Sequence, residues 1–154
     1  MSYPLSGGNS LRRTRAQQAA WYLGYLFLLV GALGFIPGIT SNYDDLYFAG
    51  STSEAALLGI FQVSILHNIV HLAYGILGLL MARTHSAARV YLIGGGAVYL
   101  LLFVYGVIVP HHSSANFVPV NTADNWLHLV LGAGMLGLGL VFGRSAAPGR
   151  SASA

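Results

Sequence analysis

Four long apolar stretches constrain this sequence more than any other feature. They cover about residues 18–36, 55–82, 90–109 and 125–143, and every charged residue of the chain lies outside them. A helix needs roughly 20 apolar residues to cross the hydrocarbon of a bilayer. The sequence therefore predicts an all-α integral membrane protein, an up-down bundle of four transmembrane helices. The second stretch is longer than one span requires, which predicts a helix that is tilted or extends beyond the membrane.

The small charged fraction supports lipid as the solvent. Only 7% of the residues are Asp, Glu, Lys or Arg, whereas a typical soluble domain contains about 25%. So little polar surface would not keep a compact fold dispersed in water. We therefore expect one transmembrane domain at residues 18–143, disordered tails at 1–17 and 144–154, and the lipid bilayer as the first partner.

The charges also predict an orientation. Four spans bring all seven basic residues to one side of the membrane: Arg12, Arg13, Arg15, Arg83, Arg89, Arg144 and Arg150. They bring the acidic residues to the other side: Asp44, Asp45, Glu54 and Asp124. Because positive residues mark the cytoplasmic side, we expect both termini in the cytoplasm and the chain in a bacterial inner membrane. Arginines spread over helix ends, not gathered in one patch, argue against a nucleic-acid partner.

A short motif occurs twice. Asn68-x-x-His71-Leu72-x-x-Gly75 in the second span reappears as Asn125-x-x-His128-Leu129-x-x-Gly132 in the fourth. The matched residues occupy one stripe of a helix, and this stripe should face inward, away from lipid. The simplest explanation is a duplicated helical hairpin whose two halves are related by an axis along the membrane normal. The glycines predicted to let neighbouring helices approach closely are Gly75, Gly78, Gly132 and Gly139.

Three histidines lie inside the predicted spans. His67 and His71 are one turn apart on the second span, and His128 lies on the fourth. Counted from Arg83 and Arg144 at 1.5 Å per residue, His67 and His128 both lie roughly 24 Å from the inner boundary. They can therefore meet if these two parallel spans pack together. The predicted polar seam between the two spans consists of His67, Asn68, His71, Asp124, Asn125 and His128.

This seam supports three interpretations. In the first, neutral histidines and asparagines form hydrogen bonds that hold the helices together. In the second, histidines of the second and fourth spans bind haem b, with His67, His71 and His128 as candidate ligands. In the third, the same three histidines bind a transition metal or relay protons, with Asp124 at the mouth. The chain has no cysteine, so thiolate metal sites and thiol catalysis are excluded.

The chain also resembles a known but uncharacterised family. The resemblance rests on Phe35-Ile36-Pro37-Gly38, Asn42-Tyr43, Gly59-Ile60-Phe61-Gln62-Val63, Leu66-His67-Asn68-x-x-His71 and Asp124-Asn125-Trp126-Leu127-His128. It covers roughly residues 21–143 and is similar to a domain-of-unknown-function family of small, four-helix bacterial membrane proteins. The resemblance implies a fold and a membrane location, and it assigns no activity to the histidines.

The sequence contains no arrangement of nucleophile, base and acid, and no phosphate-binding glycine loop. The leading hypothesis is therefore a non-enzymatic protein without a cofactor, acting as an accessory subunit of a membrane complex or as a homo-oligomer. The alternative is a redox or proton-relay protein that uses His67, His71 and His128. A small transporter is a further alternative, suggested by the repeat. It is weaker because no span has the central break that builds substrate sites in transporters.

Overall fold

The structure, a computed structural model, describes residues 13–143. Within them lie four helices: α1 (Arg15–Leu33), α2 (Ile65–Met81), α3 (His85–Ile108) and α4 (Thr122–Phe142). Helices α1, α3 and α4 are long and apolar enough to cross a membrane, and α2 is a shorter apolar helix of 17 residues. The predicted all-α membrane bundle of four helices is confirmed. The predicted tails lie outside the described residues except for 13–17, where α1 already begins.

The second span was predicted to start near residue 55, and this start is wrong. Residues 55–64 contain strands β2 (Ala56–Leu57) and β3 (Phe61–Gln62), which extend an antiparallel sheet of order β1-β2-β3 from β1 (Thr40–Ser41). The turn between β2 and β3 uses left-handed backbone at Leu58 (φ 55°) and Gly59 (φ 70°), a conformation that a helix cannot contain. An apolar run alone does not distinguish a buried hairpin from a helix, which explains the error.

The start of α2 is set by a side-chain cap. The Ser64 hydroxyl accepts a hydrogen bond from the backbone N–H of His67 at 3.1 Å. At the start of α4, the Asn121 side chain accepts a hydrogen bond from the backbone N–H of Asp124 at 3.0 Å. The Asp124 carboxylate in turn accepts a hydrogen bond from the backbone N–H of Asn121. Such caps satisfy backbone donors that the first turn of a helix leaves free. Both helices that carry the predicted seam therefore begin in the same way.

Glycines bring the helices together in two pairs, α1 with α2 and α3 with α4, which are the most extensive helix contacts in the bundle. A Cβ atom added at Gly75 would lie 2.7 Å from the carbonyl oxygen of Gly24 on α1. One added at Gly96 would lie 2.8 Å from the carbonyl oxygen of Gly132 on α4. Backbone thus meets backbone directly within each pair, which only residues without a side chain permit.

Two further glycines also lie at helix contacts. Gly78 faces the hydroxyl of Tyr91, and Gly139 packs against Ile93 of α3. A Cβ atom at either position would come within 2.7 Å of its neighbour.

One end of the bundle gathers the described arginines. The Gln17 side chain of α1 donates a hydrogen bond to the Arg83 carbonyl at 2.9 Å, between α2 and α3. The His85 side chain at the start of α3 lies within hydrogen-bonding distance of the Thr14 hydroxyl (3.0 Å) and the Gly143 carbonyl (3.4 Å). We call this the arginine end; it contains Arg13, Arg15, Arg83 and Arg89. The opposite end, with the sheet, is the acidic end; it contains Asp44, Asp45, Glu54 and Asp124.

The close approach of α1 and α2 yields a first prediction. Gly75→Ala would push a methyl group against the α1 backbone, so we expect it to destabilise the protein by about 1–3 kcal/mol. Gly134→Ala on α4 is the matched control, since nothing lies within 4 Å of a Cβ there. The control should be neutral or stabilising by up to about 1 kcal/mol. Unfolding in detergent micelles measures both, and equal effects would contradict the proposed helix contact.

Candidate functional site

A cavity of about 110 Å³ lies inside the bundle, toward the acidic end. Four ionisable side chains line it: His67 and His71 from α2, and Asp124 and His128 from α4. Tyr99 of α3 completes the polar part of the lining. The remaining walls are apolar side chains of α1, α4 and the hairpin: Val30, Leu33, Leu57, Leu58, Phe61, Val63, Leu127 and Leu131.

The three histidine side chains are buried. Their exposed fractions are 5% for His67, 8% for His71 and 4% for His128. The rings of His67 and His71 meet edge to face, with centroids 4.6 Å apart. His128 reaches the same cavity from α4 and packs against Tyr99 at 5.3 Å. The structure thus brings together, around one cavity, all three histidines that the sequence singled out.

Each of these imidazoles has an unpaired nitrogen. Among residues 13–143, no hydrogen-bond partner is found for the Nδ1 atoms of His67, His71 and His128, all of which are buried. A buried polar atom without a partner costs roughly 1–3 kcal/mol. These three nitrogens therefore do not form the hydrogen bonds between helices that the first interpretation of the seam predicts.

Asn125 differs from the histidines in bonding to a neighbouring helix, whereas Asn68 resembles them, since no partner is found among residues 13–143 for its amide oxygen or nitrogen. The Asn125 side chain donates a hydrogen bond to the Gly106 carbonyl of α3 at 2.9 Å. Asn68 is fully buried against the end of α1, where a Cβ atom at Gly34 would overlap its amide group. Neither asparagine lines the cavity, because adjacent residues of a helix point about 100° apart. The asparagines thus face α1 and α3 and lie apart from the histidine group.

Helices α2 and α4 do not pack extensively against each other. Apart from the α1–α2 and α3–α4 pairs, the most extensive contact between helices is the one between α1 and α3. Phe27 of α1 and Tyr99 of α3 stack there, with ring centroids 5.4 Å apart. The expected direct contact between the second and fourth spans is therefore replaced by a cavity, which the side chains of both helices share.

Asp124 joins this cavity to the sheet. Its Oδ2 atom accepts hydrogen bonds from the backbone N–H groups of Asn121 at 2.9 Å and Gln62 at 3.0 Å. The Asn121 side chain also donates to the Ile60 carbonyl at 2.8 Å. The β2–β3 hairpin is thus attached to the first turn of α4 and forms part of the cavity wall at the acidic end.

Aromatic side chains close the cavity on its other side. Phe27 packs edge to face on Tyr74 with centroids 5.0 Å apart, and Tyr74 contacts Tyr91 at 5.2 Å and Tyr99 at 5.6 Å. These rings fill the bundle axis between the cavity and the arginine end. The cavity is therefore a pocket that faces one end of the bundle.

The pocket does not match a haem or metal site. A volume of about 110 Å³ is well below the roughly 300–1,000 Å³ of pockets that hold drug-sized ligands, and a porphyrin is larger still. Among the described residues, no group of three or more His, Cys, Asp or Glu side chains is arranged to hold a metal ion. The haem and three-histidine metal interpretations thus gain no support from the geometry.

Sequence reasoning missed Tyr99 and the hairpin. Tyr99 lies in the middle of the third apolar stretch, where its hydroxyl was a usable signal of an inward position. The hairpin residues Leu57, Phe61 and Val63 have no comparable signal, since they are apolar residues within an apolar stretch.

The different roles of asparagine and histidine yield a second prediction. Asn125→Ala removes the bond to the α3 backbone, and we expect it to destabilise the protein by about 1–3 kcal/mol. His128→Leu removes an unpaired polar group at similar depth, so stability should stay equal or increase. Unfolding of both variants in the same detergent measures the difference. A loss at His128 as large as that at Asn125 would mean that the imidazole is a packing element.

Comparison with known proteins identifies the family. The chain belongs to the family described as a domain of unknown function (DUF4383), which matches residues 17–141. The match includes α2, α3, nearly all of α1 and α4, and every side chain that lines the cavity. No curated protein and no solved structure matches the chain.

Proposed function

We propose that this member of the DUF4383 family is a non-enzymatic membrane protein that binds a small polar ligand in its histidine cavity. One observation carries the proposal: His67, His71, Asp124 and His128 line one cavity, and no hydrogen-bond partner is found among residues 13–143 for the Nδ1 atom of any of the three imidazoles. Ionisable side chains inside membrane helices are costly, and they commonly mark sites of binding or proton transfer.

The cost of the site favours a functional role. Apolar residues of similar volume would fill a buried position at least as stably as unpaired polar groups. Here three imidazoles and a carboxylate are kept around a cavity whose other lining residues are aromatic or aliphatic. A ligand bound by these side chains explains why polar groups are kept at these four positions.

The location of the cavity favours entry from outside the cell. The described arginines lie at the end opposite the cavity, and positive residues mark the cytoplasmic side. We therefore place the arginine end and both termini in the cytoplasm of a bacterial inner membrane. The cavity, beneath the hairpin, then faces the outer compartment.

Paired contacts support a duplicated hairpin as the origin of the site. Asn68 meets Gly34 as Asn125 meets Gly106, and in both pairs a Cβ atom on the glycine would overlap the amide. The separation from Gly34 to Gly106 equals that from Gly24 to Gly96, the glycines that meet Gly75 and Gly132. These two contacts between α1 and α2 therefore have counterparts between α3 and α4, which supports the proposed duplication.

The same correspondence applies to the cavity. His71 packs on Phe27 at 5.8 Å, and His128 packs on Tyr99 at 5.3 Å, with Phe27 and Tyr99 stacked between the two halves. Under this relation His67 corresponds to Asp124, each being the third residue of its helix. The two halves of the proposed site thus differ at this position, where one supplies an imidazole and the other a carboxylate.

A third prediction tests the orientation. Green fluorescent protein fused to either terminus should fluoresce, because it folds in the cytoplasm. Alkaline phosphatase inserted beside Asp44 should be active, because it requires the outer compartment. If the two terminal fusions disagree, the parallel direction of α2 and α4 and the outward-facing cavity are both wrong.

A fourth prediction tests access to the cavity. The chain has no cysteine, so single cysteines can be labelled without background. Leu131→Cys, which lines the cavity, should react with the membrane-impermeant trimethylammonium-ethyl methanethiosulfonate reagent added outside cells. Val130→Cys is the matched control: it is the preceding residue on α4 and is 66% exposed on the outer face of the bundle, toward lipid.

We expect Leu131→Cys to react at least about tenfold faster than the control, since a charged reagent enters water-filled space and avoids hydrocarbon. Equal rates at the two positions would refute a cavity open to the outer compartment. Mass spectrometry of the purified variants measures the labelled fraction over time.

A second candidate function, a subunit of a larger membrane complex, is favoured by the apolar loops at the acidic end. Phe48 and Phe117 are 63% and 57% exposed there, and their loops are joined by a hydrogen bond from the Gly50 N–H to the Phe117 carbonyl at 2.8 Å. Native purification in mild detergent tests it. A partner should copurify with the wild type and be lost from the Phe48→Ser/Phe117→Ser variant, and recovery of this chain alone would exclude the subunit.

A further inference from the structure

The charge of the cavity restricts what it can bind. Asp124 is the one lining residue whose side chain can carry a negative charge, and no arginine or lysine lines the space. The chain has no lysine, and the described arginines lie at the other end of the bundle. A buried carboxylate needs a compensating positive charge or close hydrogen-bond donors. The cavity therefore favours a cation and disfavours an anion.

The hydrogen-bonding groups point to a ligand that donates. Both bonds to Asp124 are made at Oδ2, so Oδ1 is left to accept from a ligand. A neutral imidazole has one acceptor nitrogen, and the side chains of His67, His71 and His128 all line the cavity. One carboxylate oxygen and three imidazoles thus form a set of acceptors around one small space. A primary ammonium group, which has three N–H donors and no acceptor, complements this set.

Size and lining suit a short alkyl group on that ammonium. The cavity of about 110 Å³ is somewhat smaller than an engineered apolar cavity of about 150 Å³ that takes benzene. Val30, Leu33 and Leu131 offer an apolar wall for a few carbon atoms. Tyr99 adds a ring, and the faces of such rings attract ammonium cations.

Metal cations fit less well. Calcium binds six to eight oxygen ligands, and magnesium keeps near-ideal octahedral oxygen coordination, whereas this lining offers one carboxylate. Transition metals bind imidazole, but the described side chains include no group arranged to hold such an ion. Exposed Asp44 and Glu54 at the same end make the approach to the cavity attractive to any small cation.

We propose that the ligand of the histidine cavity is a small primary alkylammonium cation, held by Asp124 and by the imidazoles of His67, His71 and His128. This inference rests on the proposed function, since it names the ligand of the same site. Methylammonium is the simplest member of the class that keeps three N–H donors and one apolar group.

The test uses methylammonium chloride as the probe and Leu131→Cys labelling as the readout. Saturating methylammonium should slow labelling at least about tenfold, because the bound cation fills the space that the reagent must enter. Sodium chloride at the same concentration controls for ionic strength, and tetramethylammonium controls for cationic charge without N–H donors. Neither should slow the reaction more than about twofold.

Variants then assign the effect to the site. Asp124→Asn keeps an oxygen that can accept the two backbone hydrogen bonds but removes the charge, so protection by methylammonium should be lost. Asp44→Asn is the matched control at the same end, and protection should be retained. His71→Leu leaves the α4 cap untouched and removes one acceptor, so protection should weaken even if Asp124→Asn fails to fold.

The outcomes separate this inference from the proposed function. Protection by methylammonium that survives in both Asp124→Asn and His71→Leu, or equal protection by tetramethylammonium, would overturn the ammonium assignment. If methylammonium gives no protection while Leu131→Cys still reacts faster than Val130→Cys, the cavity stays accessible and the ligand class is wrong. Labelling that changes with pH but not with methylammonium would assign the cavity to protons alone, which also overturns the inference.

Discussion

Direct backbone contact between helices is the constraint on which the rest of this structure depends. Gly24 meets Gly75 between α1 and α2, and Gly96 meets Gly132 between α3 and α4. In lipid, where burying apolar side chains gains little over leaving them in hydrocarbon, such close packing is a main source of helix association. Each of the two helix pairs, α1–α2 and α3–α4, is held together by its own glycine contacts. Packing of α2 against α4 is therefore not required to hold the bundle together. The histidine cavity occupies the space between them.

The hairpin between β2 and β3 packs against the start of α4 and forms hydrogen bonds with it. Asp124 accepts hydrogen bonds from its own helix and from Gln62, so one carboxylate caps the helix, attaches the hairpin and lines the cavity. The proposed ligand would therefore contact the side chain that attaches the hairpin to α4.

Much of the architecture was predictable from single residues. Arg83 and Asp124 lie at opposite ends of the bundle, as expected because charged side chains are excluded from hydrocarbon. The positions of the four spans follow from the same exclusion. His67, His71 and His128 could be expected around one inward site, since unpaired polar groups are costly toward lipid. The start of α2 could not be expected, because residues 55–64 are as apolar as the helix that follows them, and only pairing with β1 shows them to be strands.

The sequence by itself determined the solvent, the four helices and the set of polar side chains that must avoid lipid. These properties follow from composition and order along the chain, which act locally. The tertiary structure alone decided that Asn125 bonds to the α3 backbone while His128, one turn along the same helix, keeps an unpaired nitrogen in a cavity. That division depends on which neighbouring helix lies opposite each side chain, and the glycine contacts between helices set those positions.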